Sequence, residues 1–100
     1  MNAKLSLPKE KIEEFCLRWK IVEFSLFGSI LRNDFDLVSD VNILVSISED
    51  ADLDLYDWIA MIEELEESFG REVDLVEKST LRNPFRRHAI LTKREIIYAS

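Results

Sequence analysis

The apolar residues of this 100-residue chain switch repeatedly between the helical and the strand period, and that alternation limits the fold more than any other feature. Ile12, Phe15, Cys16 and Trp19 recur at i, i+3, i+4 and i+7. They form one stripe of a helix over roughly residues 8–19, started near Ser6 or Leu7 with Pro8 in its first turn. Cys16 on that stripe is a small core residue. Val22, Phe24 and Leu26 then alternate with Glu23, Ser25 and Phe27, the period of a strand over Ile21–Phe27. Gly28-Ser29 stops it, and residues 29–33 read as a short helical turn before a polar loop.

Val41–Ile47 is a second strand, richer in β-branched residues and more buried. Beyond an acidic loop, Leu55, Trp58, Ile59, Ile62, Leu65 and Phe69 keep helical spacing. Glu63, Glu64, Glu66 and Glu67 fill the outer face, and Gly70 sits where a C-cap glycine belongs. Residues 72–76 form a third strand. Asn83-Pro84 opens a further helix with Phe85, Ala89 and Ile90 inward and Arg86, Arg87 and His88 outward or partly so. Residues 95–98 fit a strand or a short helix. This order predicts one α/β (α+β) domain over residues 1–100, a small mixed sheet with helices packed on it.

Composition narrows the function. A chain that is 47% hydrophobic and 33% charged is an ordinary globular protein. No apolar run approaches the roughly 18 residues of a membrane span, and the polar start lacks a signal peptide's hydrophobic stretch. One cysteine makes no disulfide framework and no metal cluster, so a cytoplasmic setting is expected. The net charge of −7 argues against direct nucleic-acid binding. The charge is uneven, however: residues 1–80 sum to −11 and residues 81–100 to +4. The basic segment, with Arg82, Arg86 and Arg87, suits an acidic surface on a partner protein.

Chemistry concentrates at three places. Gly28-Ser29 lies between a strand and a helical turn, where glycine admits a ligand close to the backbone and free N–H groups attract phosphate. Asp40 and Asn42 then share one side of the second strand, roughly 6.5–7 Å apart, while Val41, Ile43 and Val45 take the other. That span suits a pair of divalent cations about 3.5–4 Å apart. Asp74 lies opposite Val73 and Leu75, and it joins Asp40 and Asn42 if the third strand neighbours the second. Oxygen donors of this kind beside a phosphate cradle suit magnesium and a nucleoside triphosphate. Asp34 and Asp36 also form an Asp-x-Asp pair, but only a few residues after Ser29, as solvated loop acids. Arg32 falls where a helical turn faces the phosphates. His88, the only histidine, is a surface residue.

The run Leu26-Phe27-Gly28-Ser29, Arg32 and Asp34, residues 39–45 and residues 71–76 resembles the minimal nucleotidyltransferases (MNT), small members of the DNA polymerase β-like superfamily. Their motif is Gly-Ser, ten residues, Asp-x-Asp, and a later Asp. Here Gly28-Ser29 and position 40 meet the spacing, and Asn42 stands where the family has Asp. The resemblance implies the nucleotidyltransferase-like fold, ATP as substrate and a two-metal magnesium site. It also implies an antitoxin that transfers AMP to a tyrosine of a cognate HEPN ribonuclease toxin, as part of a hetero-oligomer. Carried over, Gly28 and Ser29 hold the triphosphate, with Arg32 as a further contact. Asp40 and Asn42 bridge the metals. Asp74 completes the first metal site and helps deprotonate the acceptor hydroxyl. Asn42 ligates through its carbonyl oxygen but carries no charge. Both a natural antitoxin that only binds and blocks its toxin, and a deliberate Asp-to-Asn exchange that traps a complex, fit that departure.

Overall fold

The structure is a computed structural model, and it describes residues 9–28 and 40–99. Ser29, Arg32, the turn over residues 29–33, the loop acids Asp34 and Asp36, and the cap at Ser6, Leu7 and Pro8 lie outside the described residues.

Helix α1 (Lys9–Trp19) leads into β1 (Ile21–Phe27) through Lys20, whose φ of 59° turns the chain back at once. After β2 (Val41–Ile47) come α2 (Leu55–Phe69), β3 (Val73–Glu77), a 3₁₀ turn (Lys78–Thr80), α3 (Pro84–Lys93) and β4 (Glu95–Ala99). The closing segment is therefore a strand, and the third strand sits one residue later than its sequence pattern placed it.

The sheet runs β3-β2-β1-β4. β1 pairs antiparallel with both β2 and β4, and β2 pairs parallel with β3. The parallel pair needs a crossover, which α2 supplies. α2 has firm ends. Asp54 and Asp57 cap each other's backbone N–H groups at 3.1 and 2.9 Å, a capping box. Gly70, in left-handed φ of 71°, closes the other end with its N–H on the Glu66 carbonyl.

One face of the sheet carries the main core. Ile12, Phe15 and Cys16 of α1 and Met61 and Leu65 of α2 pack on Ile21, Phe24, Val41, Ile43, Val45, Val73 and Leu75. Phe15 meets Phe24 edge to face with ring centres 6.2 Å apart. Cys16 is fully buried, and burial, helped by the Glu13 charge, pushes its thiol up to about 12, so it is an inert core residue as expected. A smaller cluster on the opposite face joins Phe27, Leu44, Leu81 and Ile90, with Val76 and Leu91 at its margin.

Three sequence expectations fail for physical reasons. The alternation of β1 breaks at a register shift between Ile21 and Glu23, so Ile21 turns inward and Val22 outward. Phe85, expected inside α3, is 85% exposed, and Ala89 is exposed too. α3 reaches the sheet through its second half, at Ile90 and Leu91. Leu55 and Ile59 were placed on the apolar stripe of α2, yet they are exposed, while Met61 fills the core. The steps from Trp58 to Met61 and from Met61 to Leu65, three and four residues, are the signal for that inner face.

Candidate active site

Strand register decides whether the polar residues meet. In the parallel pair, Asn42 stands directly opposite Asp74, and partners in a ladder project from the same face. Asp40 precedes β2 by strand parity on that side and is exposed. The hydrogen bond from Val41 N to Glu72 O, 2.9 Å, ties the strand starts together just there. In the antiparallel pair, Asn42 faces Phe27, the residue before Gly28. The end of β1 and the starts of β2 and β3 thus place Gly28, Asn42 and Asp74 side by side.

Gly28 holds φ of 80°, and a Cβ built on it would lie 2.1 Å from Asn42 Nδ2 and 3.1 Å from its Cγ. The Asn42 amide therefore lies against the bare glycine backbone, a closeness that no other residue allows. By contrast, the space beside Gly70 is open, and that glycine only ends a helix. Asn42 is half-buried and Asp74 exposed, so the pair forms a wet polar ledge beside the Phe27–Leu44 cluster.

Asp40, Asn42 and Asp74 offer hard oxygen donors, the kind magnesium prefers. With Asn42 in the set, the carboxylates number two, and among the described residues no group of three or more His, Cys, Asp or Glu gathers as a metal cage. The donors suit one divalent cation well and a second one poorly.

A groove of about 560 Å³ follows the outer edge of β3 and opens on Asp74. Val76, Thr80 and Arg86 line it on the Asp74 side, and Leu53, Asp54 and Trp58 line it on the α2 side. Val41 N bonding to Glu72 O makes Glu72, Asp74 and Val76 the residues whose backbone faces β2. Val73, Leu75 and Glu77 turn theirs to the edge. Glu66 accepts the Val73 N–H at 3.1 Å, and Thr80 Oγ1 donates to the Glu77 carbonyl at 2.7 Å. The edge is thus blunted at both ends and open at Leu75.

The basic C-terminal segment is used partly for structure. Arg87 is half-buried and donates to the carbonyls of Lys78 and Leu81 at 3.2 and 3.4 Å. Arg94 and Lys78 both meet the Glu23 carboxylate, Lys78 at 3.7 Å. Arg82, Arg86 and His88 are exposed, as expected. The sequence places Asn42 close to the Gly28 backbone, and the antiparallel pairing that brings the end of β1 opposite the start of β2 puts its amide there.

The model of the nucleotidyltransferase domain matches residues 8–97. The protein adenylyltransferase MntA of Thermococcus cleftensis is 34% identical over 94 residues, which cover 94% of this chain and 87% of that protein. A solved structure assigned to the minimal nucleotidyltransferases is 29% identical, with a TM-score of 0.70 over 86% of this chain and 85% of the other. A toxin–antitoxin complex solved with AMP-PNP superposes with a TM-score of 0.73 at 21% identity, over 94% of this chain and 75% of that one. At that identity the likeness is one of fold. Domain, relatives and fold agree, and the chain belongs to the minimal nucleotidyltransferase (MNT) family.

Proposed function

We propose that this chain is a protein adenylyltransferase acting as an antitoxin: it transfers AMP from ATP to a tyrosine of a cognate HEPN ribonuclease toxin. The observation that carries the reading is the in-register placement of Asn42 beside Asp74, with Gly28 against Asn42. The relative from Thermococcus cleftensis is named a protein adenylyltransferase, and a Shewanella oneidensis MNT antitoxin of the same fold was solved with a tri-AMPylated HEPN toxin. ATP and a toxin would meet the chain in the cytoplasm. No described helix is long and apolar enough to cross a membrane. We read residues 1–100 as one catalytic domain, with no direct role for nucleic acid.

In the transfer, the tyrosine oxygen attacks the α-phosphorus of ATP, and the bond from that phosphorus to the oxygen bridging the β-phosphate breaks. Pyrophosphate leaves, and the phenolic proton passes to Asp74, which faces the groove. Gly28 lets the triphosphate approach the backbone, with Ser29 and Arg32 as its further contacts. Magnesium held by Asp40, Asn42 Oδ1 and Asp74 would neutralise the triphosphate and the charge growing on the departing pyrophosphate. Aligning the reacting groups is the chain's own contribution.

Asn42 gives a second reading its footing. With one carboxylate fewer, the site retains nucleotide more readily than it drives transfer, which suits an antitoxin that blocks its toxin by binding. The intact mass of the toxin after incubation with this chain and magnesium-ATP separates the two. A gain of whole AMP units supports transfer; an unchanged mass with stable co-elution supports blocking; neither gain nor co-elution overturns both.

A further inference from the structure

The exposed apolar residues of α2 form one surface, and its place in the fold gives it a use. At about 100° per residue, Leu55, Tyr56 and Ile59 fall within an arc of about 100°. They are 69%, 81% and 44% exposed. Glu66 falls inside the same arc and bonds the outer N–H of Val73, so this flank of α2 looks over the β3 edge. Glu64 falls on the far flank, where it meets Arg18 and Trp19 of α1. The apolar arc therefore adjoins the α2 lip of the groove, at Asp54 and Trp58, and that groove opens on Asp74 at its other lip. Charge says what can sit there. Residues 49–70 hold nine acidic side chains and no Lys or Arg.

We propose that this flank of α2 is the docking face for the acceptor protein, and that the matching surface of the acceptor carries Lys and Arg around an apolar centre. The inference rests on the adenylyltransferase reading above. It reverses the expectation from sequence, in which the basic C-terminal helix meets an acidic partner. Arg87 of that helix is already spent on the carbonyls of Lys78 and Leu81. A partner seated on Leu55, Tyr56 and Ile59 lays its adjoining loop across the β3 edge, where Leu75 offers an open backbone and Asp74 awaits a hydroxyl. An apolar centre in a ring of charge is the usual anatomy of such a contact, with the aromatic residue as its anchor.

The test uses the full chain and the HEPN toxin encoded with it, without ATP. Hydrogen exchange should slow across residues 55–66 in the complex. Tyr56→Ser with Ile59→Ser should weaken binding on the order of tenfold or more, and wild-type binding should fall with added salt. Magnesium-ATP binding by the double variant should stay unchanged, which shows an intact fold and site. Arg82→Ala, in the basic segment but outside the lining of the groove, should leave toxin affinity within about twofold. Protection confined to α3, or an unaffected double variant, overturns the docking face and leaves the adenylyltransferase reading standing. No association between the wild-type chain and that toxin overturns both.

Discussion

The two faces of the sheet are built from the same strands and do different work. On the α1–α2 face, residues from five elements close a continuous apolar core around Phe24, Ile43 and Met61. On the opposite face, α3 packs on the sheet with Ile90 and Leu91, and among the described residues this cluster does not extend to the starts of β2 and β3. Asn42 and Asp74 occupy that gap. Period-2 geometry forces this arrangement. A strand that buries Val41, Ile43 and Val45 must send Asp40, Asn42 and Leu44 the other way, and among the described residues only Leu44 meets a helix there. The larger core lies on one face and the candidate site on the other, so substitutions should separate stability from transfer.

The largest expected effect is on the chemical face. Asn42→Asp should raise transfer roughly a hundred- to several-thousand-fold, the scale of one lost or gained transition-state interaction. Asp74→Ala in the same background should remove that gain. Melting temperatures should barely move; without magnesium Asn42→Asp should lower its own slightly, because the new carboxylate faces Asp74. Label transfer from ATP to the toxin, alongside thermal melts, reads both. Substantial and equal transfer with Asn and with Asp would show that position 42 is not a required ligand. Phe24→Ala should give the reverse pattern. It should cost about 3–5 kcal/mol by chemical denaturation, through lost burial and the cavity left against Phe15.

The same separation explains what the sequence revealed. β2 and α2 were legible to the residue because each shows one clean period and, for α2, a capping glycine at Gly70. The pairing of Asn42 with Asp74 was legible because parity is a local rule and the β2–β3 pairing was the one assumption it needed. β1 was less so. Its bulge depends on the pairing with β2, which no single-strand pattern contains, and Val22 was assigned to the wrong side. Phe85, Leu55 and Ile59 were misplaced for a related reason. Helical spacing finds apolar residues on a face, but not whether the sheet extends far enough to cover them.

Gly28 is the hinge between the faces, and a methyl group there should test the junction. Gly28→Ala puts an L side chain at φ of 80° and drives its Cβ into the Asn42 amide. The backbone part alone should cost about 1–2 kcal/mol. Combining it with Asn42→Ala should recover the steric part and leave the backbone part, and the double-mutant cycle from urea melts measures the difference. Strict additivity would mean that Asn42 does not press on Gly28.

The smallest effect should come from Ser25, the polar residue buried on the chemical face. It is fully buried, and its hydroxyl has no hydrogen-bond partner among the described residues. Parity sets it on the side of Phe27, opposite Leu44 of β2 and Ile96 of β4. Among the described residues the α1–α2 core holds no buried polar side chain of this kind, so the hydroxyl is where the two faces differ at close range. Burying a hydroxyl unpaired is unfavourable, whereas removing it leaves only a small void. Ser25→Ala should therefore stabilise the fold by up to about 1 kcal/mol, seen as a later urea midpoint with an unchanged slope. Transfer activity should not change, since Ser25 stands two ladder positions behind Phe27 and away from Asn42. A loss of stability would mean that the hydroxyl is satisfied in solution, and that the chemical face is as tightly packed at Ser25 as the apolar core behind it.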